Sequence, residues 1–449
     1  MVKTSALTTL VCIVLLVLFT LPAVAALLKP GYYPSHDGAG HIIRLSEFDI
    51  SLKDGQIPVR MDKNLMYGYG YYFFNFNYPL VYWLGEAFHL TGFNFVDSIK
   101  IVSILGLILS GLAMFFWQKS HWGNWGGLLA GIFYVYAPYR LLNLYVRGSV
   151  AEHLAFIFLP LLFMFTEKIA EGNRRQQLTY VLLGGISYGA LMLVHNITAF
   201  IFTLVLGIFM LFHILLYRRF RLIVNFALVG IIGLCLSAFF WIPSLIEKKY
   251  VRLDQTIGQD YPSHFVNFFQ LIQRSWGYGS NDMSLQIGLF HWGAVLLAIA
   301  GAVYLYHKHR QKALHLFLYL GILTISIFLM LIISKPVWDH FPLLPFTQFP
   351  WRFLSWSVFA ASVLAGGIVY VAQNYLGTTL KKIVPVLVIF IAGFLITTSY
   401  YYYQPSEIIS VKPPGDQPMA GSTTWADEQF PVWFNPKPTS LPLSHVEFI

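Results

Sequence analysis

The sequence contains one apolar segment after another, most of them close to the ~20 residues needed to cross the hydrocarbon core of a bilayer. Hydrophobic residues make up 57% of the 449 residues, and charged residues only 11%. This composition excludes an ordinary soluble domain. We therefore predict an all-α polytopic membrane protein with about eleven transmembrane helices, over residues 5–28, 98–117, 124–138, 150–166, 178–194, 197–217, 222–243, 287–306, 313–333, 351–372 and 383–401.

The first apolar segment, 5–28, has two interpretations. Lys3 precedes it and the string PAVAA lies near its end, as in a secretory signal peptide. Its apolar run exceeds the roughly 7–15 residues usual for such a peptide, which favours an uncleaved anchor helix. Cys12 and Cys235 both lie inside apolar segments and are interpreted as small hydrophobic residues, so no disulfide framework is implied.

Basic residues are distributed unevenly among the connections. Of the 29 basic and 20 acidic residues, 13 basic and two acidic ones belong to the N-terminus and to the loops QKSHWGN, EKIAEGNRRQQ, YRRFR, HKHRQK and TTLKK. The positive-inside rule places these loops in the cytoplasm. The net charge of +9 is therefore a topology signal and requires no nucleic acid as a partner. It predicts a multi-pass protein of the plasma (cytoplasmic) membrane with a cytoplasmic N-terminus and an external C-terminus.

With this topology, residues 1–403 form one transmembrane module with two large external loops. The first loop covers 29–97 and the second covers 244–286. Within the first loop, the segment Tyr78–Leu90 is too short to cross comfortably and contains Glu86 and His89. We predict that it is an interfacial helix lying on the outer face.

The composition changes after residue 403 to a proline-rich, polar and aromatic sequence. The external segment 404–449 is too short to bury a core of its own. Either it packs against the external loops, or it is the start of a truncated external domain. We favour packing, because large aromatic side chains are costly to leave in water, and the expected anchors are Trp425, Phe430 and Trp433.

The stretch SHDGAGHIIR, residues 35–44, follows the first apolar segment and is rich in polar residues. Ser35 or Asp37 can cap a helix that runs to about Lys53. Asp37 then either only caps this helix, or acts as a general base that accepts a proton from an acceptor hydroxyl. A divalent metal site is a third alternative, with His36, Asp37 and His41 as ligands, although the spacing matches no strong metal signature.

The residue spacing predicts that this helix has a polar face and an apolar face. His41, Arg44 and Glu47 recur every three residues and share one stripe. Ile42, Leu45 and Leu52 lie on the other side and are expected to face the membrane.

Three further polar groups fall on the external side. Arg147 precedes Gly148, and it either pairs with Glu152 or binds an anion. Arg352 begins a helix after Pro350 and Trp351, which fits an anchor in lipid headgroups or a phosphate contact. His195 lies in a tight turn or contacts a substrate.

The aromatic run YGYGYYFFNFNYP, residues 67–79, is predicted to be the core of the first loop, with stacking on a sugar as the alternative. Together with the loop 244–286 and the polar groups above, it falls on the external face. These clusters indicate one external site built over a membrane scaffold.

Five motifs in this order resemble one family of multipass proteins. They are HDGAGHIIR, NLMYGYGYYFFNFNYPLVYW, YAPYRLLNLYVRGSVAE, LVHNITA and QFPWRF. The resemblance covers about residues 1–435 and is to the bacterial and archaeal membrane proteins called "6-pyruvoyl-tetrahydropterin synthase-related". Nothing in the chain resembles the zinc–histidine pattern of the soluble enzyme in that name.

The arrangement is also similar to the GT-C glycosyltransferases, such as protein mannosyltransferases and aminoarabinose transferases. These have an acidic motif in a long first external loop and PLxYW-like residues before the second crossing. Here PLVYW stands at 79–83, and Asp37 occupies the acidic position within HDG, where many members have Asp-Glu.

The resemblance implies a fold and a reaction. A GT-C enzyme transfers a sugar from a polyprenyl-phosphate donor to an envelope acceptor, which is a glycan, lipid or protein. It would use Asp37 as the base, and the substrate-binding residues would be His41, Arg44, Arg147, Glu152, His195 and Arg352. The expected partners are therefore membrane lipids and a lipid-linked sugar. The sequence establishes no cofactor, and a divalent metal stays an alternative.

Two other functions fit a chain of this composition. One is a non-enzymatic lipid or polysaccharide exporter, and the other is a scaffold of an envelope assembly with an inactive site. Transporters tend to show repeats and polar residues at the middle of the membrane. The apolar segments here are nearly free of charge, which favours the enzyme.

The topology can be tested by labelling single cysteines in intact cells. We expect a cysteine introduced within 171–177 to be protected from a membrane-impermeant reagent, because this loop is basic and cytoplasmic. A cysteine within 244–286 should be labelled. Labelling of 171–177 from outside would overturn the topology.

Overall fold

The structure is a computed structural model that describes residues 5–256, 258–278, 283–375, 377–405, 407–413, 415–424, 426–434 and 437–441. In these residues the fold is helical, and β-structure is limited to isolated bridges. The first nine helices are α1 Ala6–Val24, α2 Gly38–Lys53, α3 Phe73–Phe76, α4 Leu80–His89, α5 Phe95–Val135, α6 Pro138–Tyr145, α7 Val150–Ala155, α8 Phe158–Glu171 and α9 Arg174–Val194. The others are α10 Asn196–Tyr217, α11 Leu222–Leu236, α12 Ala238–Glu247, α13 Leu253–Thr256, α14 Leu289–Lys308, α15 Arg310–Met330, α16 Lys335–His340, α17 Leu354–Tyr375 and α18 Thr378–Thr398.

Nine helices in the described part of the chain are long and apolar enough to cross a membrane, with α7 and α8 forming one span, and the bent pair α11–α12 adds a tenth. Helix α5 accounts for two predicted spans, because Gly123 interrupts it with φ 78° and ψ 176°. Every predicted span thus coincides with helix. The prediction of an all-α polytopic protein with about eleven transmembrane helices is confirmed.

The two arms of α5 form an antiparallel hairpin around Gly123. A Cβ atom on Gly131 would lie 3.0 Å from the carbonyl oxygen of Gly111, and one on Gly127 would lie 2.9 Å from that of Phe115. Only arms that run in opposite directions bring these two pairs together. Small residues allow helix backbones to approach closely in membranes, so the hairpin forms a compact centre against which α1 and α17 pack.

The first loop is folded into the protein. Ten of the 16 residues of α2 are buried, including Ile42 and Leu45. The expectation that these two side chains face the membrane is wrong, because α4 and α5 cover them. A Cβ atom on Gly85 of α4 would lie 2.9 Å from Leu45 Cδ2. Helix α4 itself has only 10 residues, too few to cross a bilayer.

The start of α2 is attached to the turn that follows α6. The backbone N–H groups of His36 and Asp37 donate to the carbonyl oxygens of Val146 and Arg147, at 3.0 and 2.8 Å. Gly148 has φ +64°, and a Cβ atom there would lie 2.6 Å from the nitrogen of Gly38. The two short motifs, HDG and RG, therefore meet backbone to backbone.

The C-terminal segment lies against the first loop. Met66 N–H donates to the carbonyl oxygen of Gly421 at 2.8 Å, and Met419 N–H donates to that of Asn64 at 2.8 Å. Of the three aromatic residues expected to anchor this segment, Phe430 is buried, whereas Trp433 is 65% exposed. Trp425 lies outside the described residues.

The close contact between the HDG and RG backbones predicts that adding one methyl group at Gly148 destabilises the protein. Gly148→Ala should lower the free energy of unfolding by about 1–3 kcal/mol or more, because Ala is strained at positive φ and its Cβ meets Gly38. The measurement is the thermal unfolding of the purified protein in detergent.

Gly207→Ala is the matched control, because a Cβ atom at that position of α10 meets nothing within 4 Å. This variant should unfold at the wild-type temperature or slightly above it. Equal unfolding temperatures for the two variants would contradict the close backbone contact.

Candidate functional site

A cavity of ≈ 540 Å³ lies at the end of the helices where the first loop, the second loop and the C-terminal segment meet. This volume is typical of a small-molecule site. The polar side chains that line it are Asp37, Arg44, Asn77, Tyr78, His195, Asn196, Ser244, Lys248, Asp254, Gln348, Arg352, Thr423, Thr424, Glu428 and Gln429.

Asp37 stands at the N-cap position of α2, as the sequence predicted, but its side chain makes no capping hydrogen bond. The residue is exposed and lines the cavity. The structure therefore does not support the interpretation that the Asp37 side chain only caps α2. Its backbone is fixed by the Arg147 carbonyl, so the carboxylate projects from a rigid position.

Arg352 lies in a turn, Pro350–Phe353, just before α17. It is only 7% exposed, and its Nε and Nη1 atoms have no hydrogen-bond partner among the described residues. Its guanidinium lies over the ring of Phe349, 5.2 Å from the centroid. A buried cation with free donors that lines a cavity is suited to an anionic ligand.

The alternative of a headgroup anchor at this turn is not supported. Trp351 is 3% exposed and lies inside the protein. Its ring stacks on Phe349 at 5.0 Å, and Arg147 lies over it at 4.7 Å from the centroid. Arg352 of this turn lines the cavity. His264 of the second loop packs on Phe349, with 4.6 Å between ring centroids.

Arg44 also lines the cavity and has specific partners. Its Nε donates to Thr423 Oγ1 at 2.9 Å, its Nη2 donates to the Thr423 carbonyl, and its guanidinium lies 4.2 Å from the centroid of the Phe73 ring. Thr423 belongs to the C-terminal segment. This contact joins the segment to α2 beside Asp37.

His41 is buried behind Arg44 and does not line the cavity. Its Nδ1 atom lies 2.9 Å from the hydroxyl of Tyr82. Burial lowers the pKa of His41 well below its usual value, and Arg44 and His195 act in the same direction. His41 is therefore neutral and supports the wall of the site.

Arg147 and Glu152 form a buried ion pair, with 2.7 Å between Nη1 and Oε2. Glu152 also accepts hydrogen bonds from Tyr139 at 2.5 Å and from Asn143 at 3.1 Å. Arg147 donates to Asn143 as well. Arg147 was interpreted either as a partner of Glu152 or as an anion site, and the structure shows the ion pair. Neither residue lines the cavity, so the pair lies behind its wall.

His195 lies between α9 and α10 and lines the cavity. Its Nδ1 atom accepts a hydrogen bond from Thr198 N–H at 3.1 Å, and its ring contacts Tyr78 with 5.1 Å between centroids. Burial lowers the pKa of His195 to about 3. The ring is therefore neutral at physiological pH, and its Nε2–H group is available as a donor.

The remaining wall of the cavity is apolar. It contains Ile197 and Phe200 of α10 and Leu245 of α12. Helix α12 is bent by 72° from α11, which turns its last residues across the end of the bundle. Leu245 is exposed. The cavity thus has a polar side on the loops and an apolar side on two membrane helices.

Three other carboxyl groups of the first loop are buried near α2. Burial raises the pKa of Asp62 well above its usual value, and Glu47 adds to this effect. Burial likewise raises the pKa of Glu47 and raises that of Glu86 to about 7. Asp37 differs from them because it is exposed to the cavity.

Metal ligands are not assembled around Asp37. In the described part of the chain, His121, Glu167 and His315 are the residues whose ligand atoms lie within 4.8 Å of one another. His36, Asp37 and His41 form no such group. The triad lies near the other ends of its helices, away from the cavity.

Sequence reasoning missed several residues. Tyr78 was predicted only as part of an aromatic run and of an interfacial helix. Thr423 and Gln429 are far from the other site residues in sequence. The histidine–glutamate triad was missed as well. A titratable residue within an apolar helix is a functional signal, and Glu167 and His213 both carry it.

Two solved structures share this fold. Arabinofuranosyltransferase AftD from Mycobacteria matches with a TM-score of 0.55 and 13% identity, over 90% of this chain and 27% of that chain. The oligosaccharyltransferase from Archaeoglobus fulgidus, solved with Zn and sulfate, matches with a TM-score of 0.54 and 16% identity, over 89% of this chain and 53% of that chain. The chain thus has the fold of the GT-C glycosyltransferases and spans only part of the length of these two proteins.

Residues 74–403 match the family described as "6-pyruvoyl-tetrahydropterin synthase related domain; membrane protein". The protein belongs to this family, and the assignment made from the motifs is confirmed. A protein of Lactococcus lactis subsp. cremoris (strain MG1363), described as uncharacterized, is 24% identical over 274 residues, which cover 57% of this chain and 43% of that protein.

The raised pKa of Glu86 predicts how stability depends on pH. The folded state holds this proton more tightly than the unfolded chain does, so its contribution is complete at low pH and is lost as the pH rises through about 7. The unfolding temperature should therefore fall between about pH 4.5 and about pH 7 and level off above that. Glu86→Gln should reduce this fall.

The control is Glu171→Gln, which changes an exposed glutamate at the end of α8. Its pH dependence should match that of the wild type. If Glu86→Gln leaves the slope of unfolding temperature against pH unchanged, Glu86 does not carry the effect.

Proposed function

We propose that the protein is an integral-membrane glycosyltransferase that moves a sugar from a polyprenyl-phosphate donor to an acceptor of the cell envelope. The observation that carries this proposal is that one cavity holds an exposed carboxylate, Asp37, and a buried guanidinium, Arg352. The Nε and Nη1 atoms of Arg352 have no hydrogen-bond partner among the residues that the structure describes. A base and an anion site are the two groups that such a transfer needs. The shared GT-C fold supports the same conclusion.

In the proposed reaction, the Asp37 carboxylate accepts the proton of the acceptor hydroxyl. The oxygen attacks the anomeric carbon of the sugar from the side opposite the phosphate. The bond from that carbon to the phosphate oxygen breaks, and the electron pair leaves with the polyprenyl phosphate. The configuration at the anomeric carbon is inverted.

Arg352 stabilises the negative charge that develops on the departing phosphate. Arg44 lies on the same cavity wall and adds positive charge, while Thr423 fixes its guanidinium. Arg147 is committed to Glu152, so the phosphate role that the resemblance implied for it passes to Arg352. Arg147 and Glu152 instead position the turn that holds Asp37.

The neutral histidines have supporting roles. His195 Nε2–H can donate to the donor phosphate or to the sugar, because its Nδ1 atom is occupied by Thr198. His41 holds the Tyr82 hydroxyl beneath Arg44. Both act without a positive charge, since burial lowers the pKa of each.

The apolar wall supports a donor carried by lipid. Ile197, Phe200 and Leu245 join the cavity to the lipid-facing side of α10 and α12. A polyprenyl chain can therefore stay in apolar surroundings while its phosphate reaches Arg352. We place this end of the bundle at the external face of the plasma membrane, because the opposite loops carry the basic residues.

The acceptor is proposed to be a glycan, lipid or protein of the envelope. The reaction as written uses Asp37 and the cationic side chains, and we propose no metal in it. The group of residues best suited to a divalent metal is at the other end of the helices.

The test of the base is Asp37→Asn. Transfer should fall by about 10²–10⁴-fold, since the amide cannot accept the proton. Folding should be unchanged, because the Asp37 side chain makes no capping bond and Asn is an equally good N-cap. The assay follows consumption of polyprenyl-phosphate-linked pentoses and hexoses by the protein in lipid vesicles.

Asp54→Asn is the matched control. Asp54 lies at the other end of α2 and pairs with Lys63 at 2.7 Å, so this variant should keep full activity. Full activity of Asp37→Asn would exclude Asp37 as the base. A wild-type protein that consumes no donor of the panel would favour the exporter or the scaffold.

A further inference from the structure

Four side chains from four helices meet at the end of the bundle opposite the cavity. They are His121 of α5, Glu167 of α8, His213 of α10 and His315 of α15, and all four are buried. We call them the histidine cluster. Each lies in or close to a loop that the charge distribution assigns to the cytoplasm.

The carboxylate of Glu167 is at the centre of the histidine cluster. Its Oε2 atom lies 2.5 Å from His121 Nε2 and accepts a hydrogen bond from Trp117 Nε1 at 3.2 Å. Its Oε1 atom lies 3.8 Å from the Nε2 atoms of both His213 and His315. Three imidazoles therefore surround one carboxylate.

The orientation of two of these rings is fixed by the backbone. His213 Nδ1 donates to the Phe209 carbonyl at 3.0 Å, and His315 Nδ1 donates to the Gln311 carbonyl at 2.8 Å. In the neutral rings, each Nε2 atom then carries a lone pair. Histidine ligands of metals are commonly held in this way, with the second nitrogen donating to a carbonyl.

This arrangement leaves two lone pairs directed toward a carboxylate oxygen. His213 Nε2 is fully buried and has no hydrogen-bond partner among the described residues. The separations of 3.8 Å are too long for hydrogen bonds. They are close to the spacing of about 3.3 Å between neighbouring ligands of a tetrahedral zinc ion. A cation beside Glu167 Oε1 would give the lone pair of His213 Nε2 a partner.

We propose that the histidine cluster binds one divalent transition-metal ion, with Zn²⁺ as the best match. The ligand atoms of His121, Glu167 and His315 already lie within 4.8 Å of one another. His213 Nε2 lies 3.8 Å from Glu167 Oε1 and becomes the fourth ligand when its ring moves toward the ion. Three nitrogens and one oxygen in a four-coordinate site suit Zn²⁺. On binding, the proton between His121 and Glu167 leaves to solvent.

The metal would be structural. Four protein ligands leave no open coordination position for a substrate or water. The ion ties together α5, α8, α10 and α15, which are far apart in sequence. Lys312 lies beside the cluster, and its Nζ atom donates to the His121 carbonyl at 2.8 Å. This proposal is independent of the proposed glycosyl transfer.

The test is metal analysis of the full chain, purified without a histidine tag, incubated with Zn²⁺ and then dialysed. We expect about one Zn²⁺ per chain. The variants His213→Gln and His315→Gln should each retain less than about one-tenth of that amount. His307→Gln should retain all of it, because His307 is an exposed histidine at the same end of the bundle.

A second measurement does not depend on the folding of variants. The wild-type protein with Co²⁺ in place of Zn²⁺ should show the strong visible absorption of a four-coordinate ion. A chelator should lower the unfolding temperature, and Zn²⁺ should restore it. Absence of bound metal in the wild type, or full retention by correctly folded His213→Gln and His315→Gln variants, would overturn the proposal. The cluster would then be a hydrogen-bonded contact between Glu167 and His121.

Discussion

The buried ion pair between Arg147 and Glu152 is the interaction on which the candidate site depends. Removing one partner of such a pair typically costs about 3–5 kcal/mol, because an uncompensated charge is left inside the protein. The pair fixes the turn after α6. The carbonyl groups of that turn receive the N–H groups of His36 and Asp37. Burial of charge at one turn therefore decides where the carboxylate of Asp37 points.

The chain separates its polar chemistry into two places along the membrane normal. The cavity collects an exposed carboxylate and the guanidinium groups of Arg44 and Arg352 at one end. The histidine cluster lies at the other end. Charges at the centre of a bilayer are expensive, so the apolar helices between the two ends carry few of them. The cavity and the histidine cluster have no residue in common, so a variant at one leaves the other unchanged.

The first loop shows why a polar stripe on a helix is an incomplete guide. His41, Arg44 and Glu47 share a face, as their spacing predicted, but all three are buried. Their neighbours Ile42 and Leu45 are buried as well, because α4, α5 and the C-terminal segment close around α2. The loop therefore behaves as a folded layer on the membrane helices, and it presents Asp37 at its edge.

The sequence alone determined the features that depend on local composition. Apolar length gave the membrane spans, and the motifs gave the family. Spacing predicted α2, with Asp37 at its start. Only the tertiary structure decided which polar residues meet. It paired Arg147 with Glu152, placed Arg352 at the cavity, brought Thr423 to Arg44 and assembled the histidine cluster from four helices. These contacts join residues far apart in the chain, and their distances depend on how the helices pack, which hydropathy and local spacing do not encode.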